Sequence, residues 1–150
     1  MAELKERLRT DLTTAMKGRD ELRTATLRMV LAAVSAEEVS GKEARELSDD
    51  EVLAVLRREA KKRREAAEAF AGAGRTEQAE RERAEEGVVA TYLPAQLGDA
   101  DLTALVADVI TRTGASGMKD MGKVMGAANQ EVAGRAEGGR VAAEVRRQLG

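Results

Sequence analysis

Apolar side chains recur every three to four residues along most of this chain, and no segment shows the two-residue alternation of a half-buried strand. That periodicity confines the fold to packed helices. Leu4, Leu8, Leu12 and Ala15, followed by Gly18, predict a first amphipathic helix over residues 2–17. Asp20 is placed to cap a second, in which Leu22, Ala25, Leu27, Met29, Val30, Leu31, Ala33 and Val34 surround nearly the whole circumference before Gly41 ends it. A helix apolar on all sides belongs at the centre of a bundle, with neighbours on several faces. Ser48 and Glu51 have capping-box spacing, so a third helix starts there and extends to Ala71, before Gly72 and Gly74. Thr76 is placed to cap a fourth, highly charged helix that runs to Tyr92 and stops at Leu93-Pro94. Further on, Leu102, Leu105, Val106, Val109 and Ile110 form a stripe ending at Gly114. Ser116 is placed to cap a helix reaching Val132, and a last helix follows Gly138.

Composition agrees. Ala, Leu, Glu and Arg abound while aromatic residues make up 1% of the 150, and the expectation is an all-α fold. The chain has no Cys and no His, which excludes disulfides and thiolate metal sites and removes the commonest general base and metal ligand. No carboxylate pair stands apart from the charged helical faces, so no catalytic residue, metal site or cofactor is expected. No apolar run approaches the roughly 18 residues needed to cross a bilayer, and the N-terminus carries no signal-type apolar region. The expected location is the cytoplasm, without membrane contact.

Charge divides the chain. Residues 1–94 carry 18 basic and 20 acidic side chains, whereas residues 95–150 carry 7 of each and hold nine glycines from Gly98 onward. This drop in charge density predicts a helical N-terminal domain over residues 1–94 and a small C-terminal three-helix domain over residues 95–150.

Six of the eight residues from Arg57 to Arg64 are basic. At about 100° per residue, Arg57, Arg58, Lys61, Lys62 and Arg64 share one broad exposed face, while Leu53, Leu56, Ala60, Ala67 and Phe70 form the buried stripe with Arg63 at its centre. Two readings stand for that face. Arg57, Lys61, Lys62 and Arg64 could bind a phosphate backbone, or Glu65 and Glu68 could pair with Lys61 and Arg64 at i,i+4 on a solvated surface. Arg63 is expected to snorkel or to meet a carboxylate of a neighbouring helix. Gly117 to Lys123 matches the first positions of a P-loop, but Val124 replaces the Mg²⁺-binding hydroxyl and no strand precedes it; Ser116 and Lys119 lack the companion motifs of a serine-lysine enzyme. Gly122 and Gly126 sit at i,i+4 inside a helix, where close approach of another helix or of a nucleic-acid backbone would explain them. The loop Gly134 to Arg140 could hold a phosphate through Arg135 and Arg140 at a helix start, or be a plain turn.

Six segments occur here in the order found in GatB/YqeY proteins: Leu27 to Val34, Arg63 through Phe70, Ala73-Gly74-Arg75, Tyr92 to Leu97, Gly122 to Gly126 and Gly134 to Gly138. The chain resembles that family over essentially its whole length, with Glu137 standing where the family has Asp. The resemblance implies a two-part helical protein related to the tail of the B subunit of the tRNA-dependent amidotransferase. That tail contacts the tRNA elbow, while other parts of the enzyme amidate Glu-tRNA or Asp-tRNA with ATP and glutamine. It implies a free-standing tRNA-binding module that reads folded RNA by shape and phosphates, with Lys119, Lys123, Arg135 and Arg140 as one contact surface and Arg57, Lys61, Lys62 and Arg64 as a second. The alternative is an accessory protein docking on amidotransferase subunits or another translation factor. Carbon-nitrogen ligase chemistry travels with the family name, but this chain lacks the cradle and the amidase signature.

Overall fold

The computed structural model describes residues 3–150 as helices joined by short turns, with no strand among the described residues. The helices are α1 (Glu3–Lys17), α2 (Glu21–Glu38), α3 (Asp49–Gly72), α4 (Thr76–Ala90), α5 (Asp99–Thr113), α6 (Met121–Val132) and α7 (Gly138–Leu149), with a single 3₁₀ turn at Met118–Asp120. None is long and apolar enough to cross a membrane. The chain packs as two compact units, one ending at Leu93 and the other spanning Pro94–Gly150.

In the first unit α3 and α4 form a long helical hairpin against which α1 and α2 pack. Leu8, Leu27, Val30, Val34, Leu47, Leu56 and Val89 fill its core. The local signals explain most boundaries. Asp20 accepts from the Arg23 N–H at 3.1 Å at the start of α2, and Ser48 and Glu51 form the reciprocal box at the start of α3. Other boundaries differ from the sequence expectation. α2 stops at Glu38, before Gly41, and the Glu38 carboxylate at its end accepts from Lys5 Nζ at 2.8 Å and from the Leu47 N–H at 3.3 Å. Arg75, not Thr76, occupies the cap position of α4 and supplies no side-chain bond. Tyr92 lies just beyond α4, buried, with its hydroxyl donating to Asp11 at 2.5 Å and Arg7 stacked 4.7 Å from its ring centre. Burial, followed by the bond to Asp11, pushes its phenol up to about 12.

In the second unit α5, α6 and α7 enclose a core built largely of valine: Val106, Val109, Val124, Val141 and Val145 are each fully buried. α5 ends on Gly114 at φ 69°, the left-handed position that glycine tolerates best. Ser116 does not cap the next helix. Its N–H donates to Asp120 at 2.9 Å, and the 3₁₀ turn that follows delays α6 to Met121. α6 ends on Ala133 at φ 48°, followed by Gly134 at φ 80°.

Candidate functional site

The first unit directs most of its basic helix onto its own carboxylates. Arg58 meets Glu37 of α2 at 3.2 Å, Lys62 meets Glu59 at 3.3 Å, and Lys61 approaches Glu65 at 3.9 Å. Arg64 reaches across to Glu86 of α4 at 3.1 Å, a cross-hairpin partner in place of the Glu68 that spacing suggested. Arg57 is half-buried and has no ion pair among the described residues.

Of the two expectations for Arg63, snorkelling or a carboxylate of a neighbouring helix, the second holds: Arg63 is buried and meets carboxylates on two helices. Nη1 donates to the Glu59 carbonyl at 3.0 Å and to Glu59 Oε1 at 3.2 Å, Nε lies 4.0 Å from Glu85 Oε2 on α4, and Nη2 lies 3.7 Å from the Met29 sulfur on α2. Nε and Glu85 Oε2 have no hydrogen-bond partner. Arg81 approaches Glu85 at 3.8 Å and grips both Glu21 oxygens at 2.8 and 2.9 Å. Glu21, Arg81, Glu85, Arg63, Glu59 and Lys62 thus alternate in sign across three helices. Burial, with the like charge of Glu82 second, holds the Glu85 carboxyl above its usual range. Sequence reading located Arg63 but missed Glu85, whose only signal is its place one turn before the buried Val88 and Val89.

The second unit treats its candidates differently. Lys119 is exposed with no ion pair or hydrogen bond among the described residues. Lys123 is exposed and donates to the Thr113 carbonyl at 2.8 Å, a favourable place for a cation at the C-terminal end of α5. Arg135 caps the end of α6, with Nε donating to the Val132 carbonyl at 3.0 Å and Nη2 to the Glu131 carbonyl at 2.8 Å. Arg140 donates through Nη2 to the Leu97 carbonyl at 3.0 Å and to Asp99 at 3.1 Å. The Leu97 N–H in turn donates to the Arg135 carbonyl at 2.7 Å, so the segments around residues 97 and 135 close on each other. Three of the four cations, Lys123, Arg135 and Arg140, therefore bond backbone carbonyls of their own unit.

Gly122 and Gly126 lie on the exposed side of α6, and a Cβ placed on either would meet nothing within 4 Å. Close packing of another helix of this unit is therefore not their reason. The P-loop-like stretch forms the 3₁₀ turn and the first residues of α6, with the Asp120 carboxylate bonded to the backbone where a phosphate would need free N–H groups. A nucleotide phosphate has no seat there.

No curated protein matches the chain. A sequence-family model described as Yqey-like protein matches residues 5–149 and so spans both helical units. On that match, the chain belongs to the Yqey-like family.

Proposed function

We propose that the second unit binds folded RNA, with tRNA as the class that the GatB/YqeY resemblance implies, through the phosphate and sugar backbone rather than the bases. The observation that carries this reading is the open glycine pair beside two outward lysines. Each helical glycine costs about 1 kcal/mol relative to alanine, and with open space above Gly122 and Gly126 the fold gains nothing in return. A backbone lying against α6 would use that space, with Lys119 and Lys123 releasing its counterions. The second unit holds no aromatic residue, since Phe70 and Tyr92 both belong to the first, which disfavours stacking on unpaired bases. On this reading Arg135 and Arg140 hold the surface in shape and lend their remaining N–H groups. The basic helix of the first unit contributes mainly through Arg57, and ligase chemistry belongs to other proteins.

The test is binding of the full chain to labelled tRNA and to a DNA duplex of equal length across a salt series, with Lys119→Glu/Lys123→Glu alongside. If about four phosphates are neutralised, log affinity falls with log salt at a slope of order −3 to −4. The double variant should lose affinity for tRNA and lower that slope by about 1 to 2. Weak binding that is equal for both nucleic acids and indifferent to the charge reversal would overturn the proposal.

A further inference from the structure

α2 is apolar round nearly its whole circumference, yet α1, α3 and α4 cover only part of it. At about 100° per residue, Ala25, Arg28, Met29, Ala32, Ala36 and Val39 fall within one arc of about 120°. All of them are exposed except Ala25, which is half-buried. In a chain that is 35% charged, this face carries Arg28 and, in its first turn, Glu21, which is paired with Arg81. Met29 is 43% exposed and Val39 65%. At the N-terminal end of the face, Met16, 48% exposed, helps line a recess of about 440 Å³ together with Arg19, Glu21, Thr24, Ala25 and Arg28. Three of the four large apolar side chains standing exposed among the described residues therefore belong to one surface.

The charges beside this surface have one sign to offer. Arg19 and Arg28 have no ion pair among the described residues, whereas the nearby carboxylates are taken, Glu21 by Arg81 and Glu37 by Arg58. A second copy laid on the same face would bring the same two arginines and no free carboxylate to meet them. RNA would find two cations on a methionine- and alanine-lined floor, too little charge for a phosphate track. Alanines at this spacing let a helix approach closely, and methionine adapts its shape to an incoming apolar ridge.

We propose that the exposed face of α2 docks an amphipathic, acidic helix of a partner protein. Its apolar ridge lies along Met29, Ala32 and Ala36, an apolar anchor enters the recess beside Met16, and its carboxylates meet Arg28 and Arg19. This site is separate from the glycine face of α6 and stands whether or not that face binds RNA.

The experiment places the photo-cross-linker p-benzoylphenylalanine at Ala36 of the full chain in its native host and identifies the attached segment by mass spectrometry. A synthetic peptide of that segment is then titrated against the wild-type chain, Arg28→Glu and Ala32→Arg. Both substitutions fall on exposed helix positions, and circular dichroism melts of the variants should match wild type. The expected result is a segment with helical apolar spacing and net negative charge. Its peptide should lose about tenfold or more in affinity on Arg28→Glu and on Ala32→Arg, and a Glu→Lys version of the peptide should recover the loss on Arg28→Glu. Cross-linking to a second copy, to RNA or to nothing above background would overturn the proposal, as would a peptide indifferent to both substitutions.

Discussion

The two units hold basic residues of the same kinds and use them differently. In the first, Arg58, Arg63, Arg64 and Arg81 each reach a carboxylate on another helix, so the densest positive stretch of the sequence acts mainly as internal bracing. In the second, charge is sparser, but Lys119 stands free and Lys123 gives one bond to a carbonyl. A count of lysines and arginines makes the 57–64 stretch the strongest electrostatic footprint; pairing leaves only Arg57 of its six cations without a carboxylate among the described residues. Ion pairs close to each other's charge present little field to a ligand, whereas an isolated cation on an open helix presents all of its own.

The largest test of this contrast removes the centre of the bracing. Arg63→Met leaves buried Glu85 with only Arg81 at 3.8 Å and buried Glu59 with only the exposed Lys62 at 3.3 Å, and the loss should approach the about 3–5 kcal/mol of a broken buried pair. Hydrogen exchange on the full chain should show the loss concentrated in α2, α3 and α4, with α5 to α7 unchanged. Arg63→Met/Glu59→Met/Glu85→Leu, which removes all three charges, should recover most of it. A single-variant loss under about 1 kcal/mol would mean that water reaches the cluster and that the pairing is not internal bracing.

The second test acts on glycine. Gly122→Ala/Gly126→Ala should stabilise the second unit by about 1 kcal/mol per site, read as slower exchange in α6, because both positions are helical and the new methyl groups meet open space. The same variant should weaken tRNA binding if a backbone approaches that face. Gly87, in the last turn of α4 with equally open space, is the control: Gly87→Ala should give a stability gain in the first unit and leave tRNA affinity unchanged. Equal affinity for all three proteins would separate the glycines from RNA binding.

These contrasts were only partly legible in the sequence. Periodicity and caps located the helices because those signals are local: Asp20 and the Ser48–Glu51 box act within a few residues. Arg63 was legible as a buried cation because it interrupts an apolar stripe. The ends that differ have partners far along the chain, as where Lys5 and the Leu47 N–H hold the carboxylate of Glu38, the last residue of α2. The pairing of Arg64 with Glu86 was hidden behind a plausible i,i+4 partner at Glu68. The exposed arc of α2 was hidden for the opposite reason: an all-round apolar pattern reads as a central helix, and nothing local says which side has no neighbour within the chain.

Acid acts on the carboxylates with two signs. Glu144 donates nothing and accepts much: Arg147 holds it first, with Thr103 at 2.8 Å and Gln148 at 3.2 Å, and its carboxyl is lowered to about 2. Its contribution is complete above its ordinary value of 4.5 and is lost as pH falls towards 2. Glu51, lowered to about 2 by Arg45 and the Ser48 backbone, behaves the same way in the first unit. Glu85 runs against both. Its raised carboxyl makes the ionised form the costly one, so protonation on acidification favours the folded first unit. Hydrogen exchange at descending pH should show the contact of α7 with α5 loosening between pH 4.5 and 2, and Glu144→Gln should remove that pH dependence. Because Arg147 is exposed, the effect at any one pH should stay within about 1 kcal/mol.

The smallest test concerns backbone strain, of which each unit holds one example outside glycine among the described residues: Arg19 at φ 55° between α1 and α2, and Ala133 at φ 48° after α6. A left-handed residue with a Cβ costs about 1–2 kcal/mol, and glycine at the same place gives back about 0.4–1 kcal/mol through the greater freedom of its unfolded chain. Ala133→Gly should therefore stabilise the second unit by about 0.5 kcal/mol, visible as slower exchange at the end of α6. Arg19→Gly should do the same for the first. Ala133 precedes the loop in which Arg135 caps the α6 carbonyls, so its strained backbone sets the direction from which that arginine arrives. If Ala133→Gly destabilises while Arg19→Gly stabilises, the alanine is holding the loop and Arg135 in register, and the second unit depends on backbone geometry where the first depends on charge.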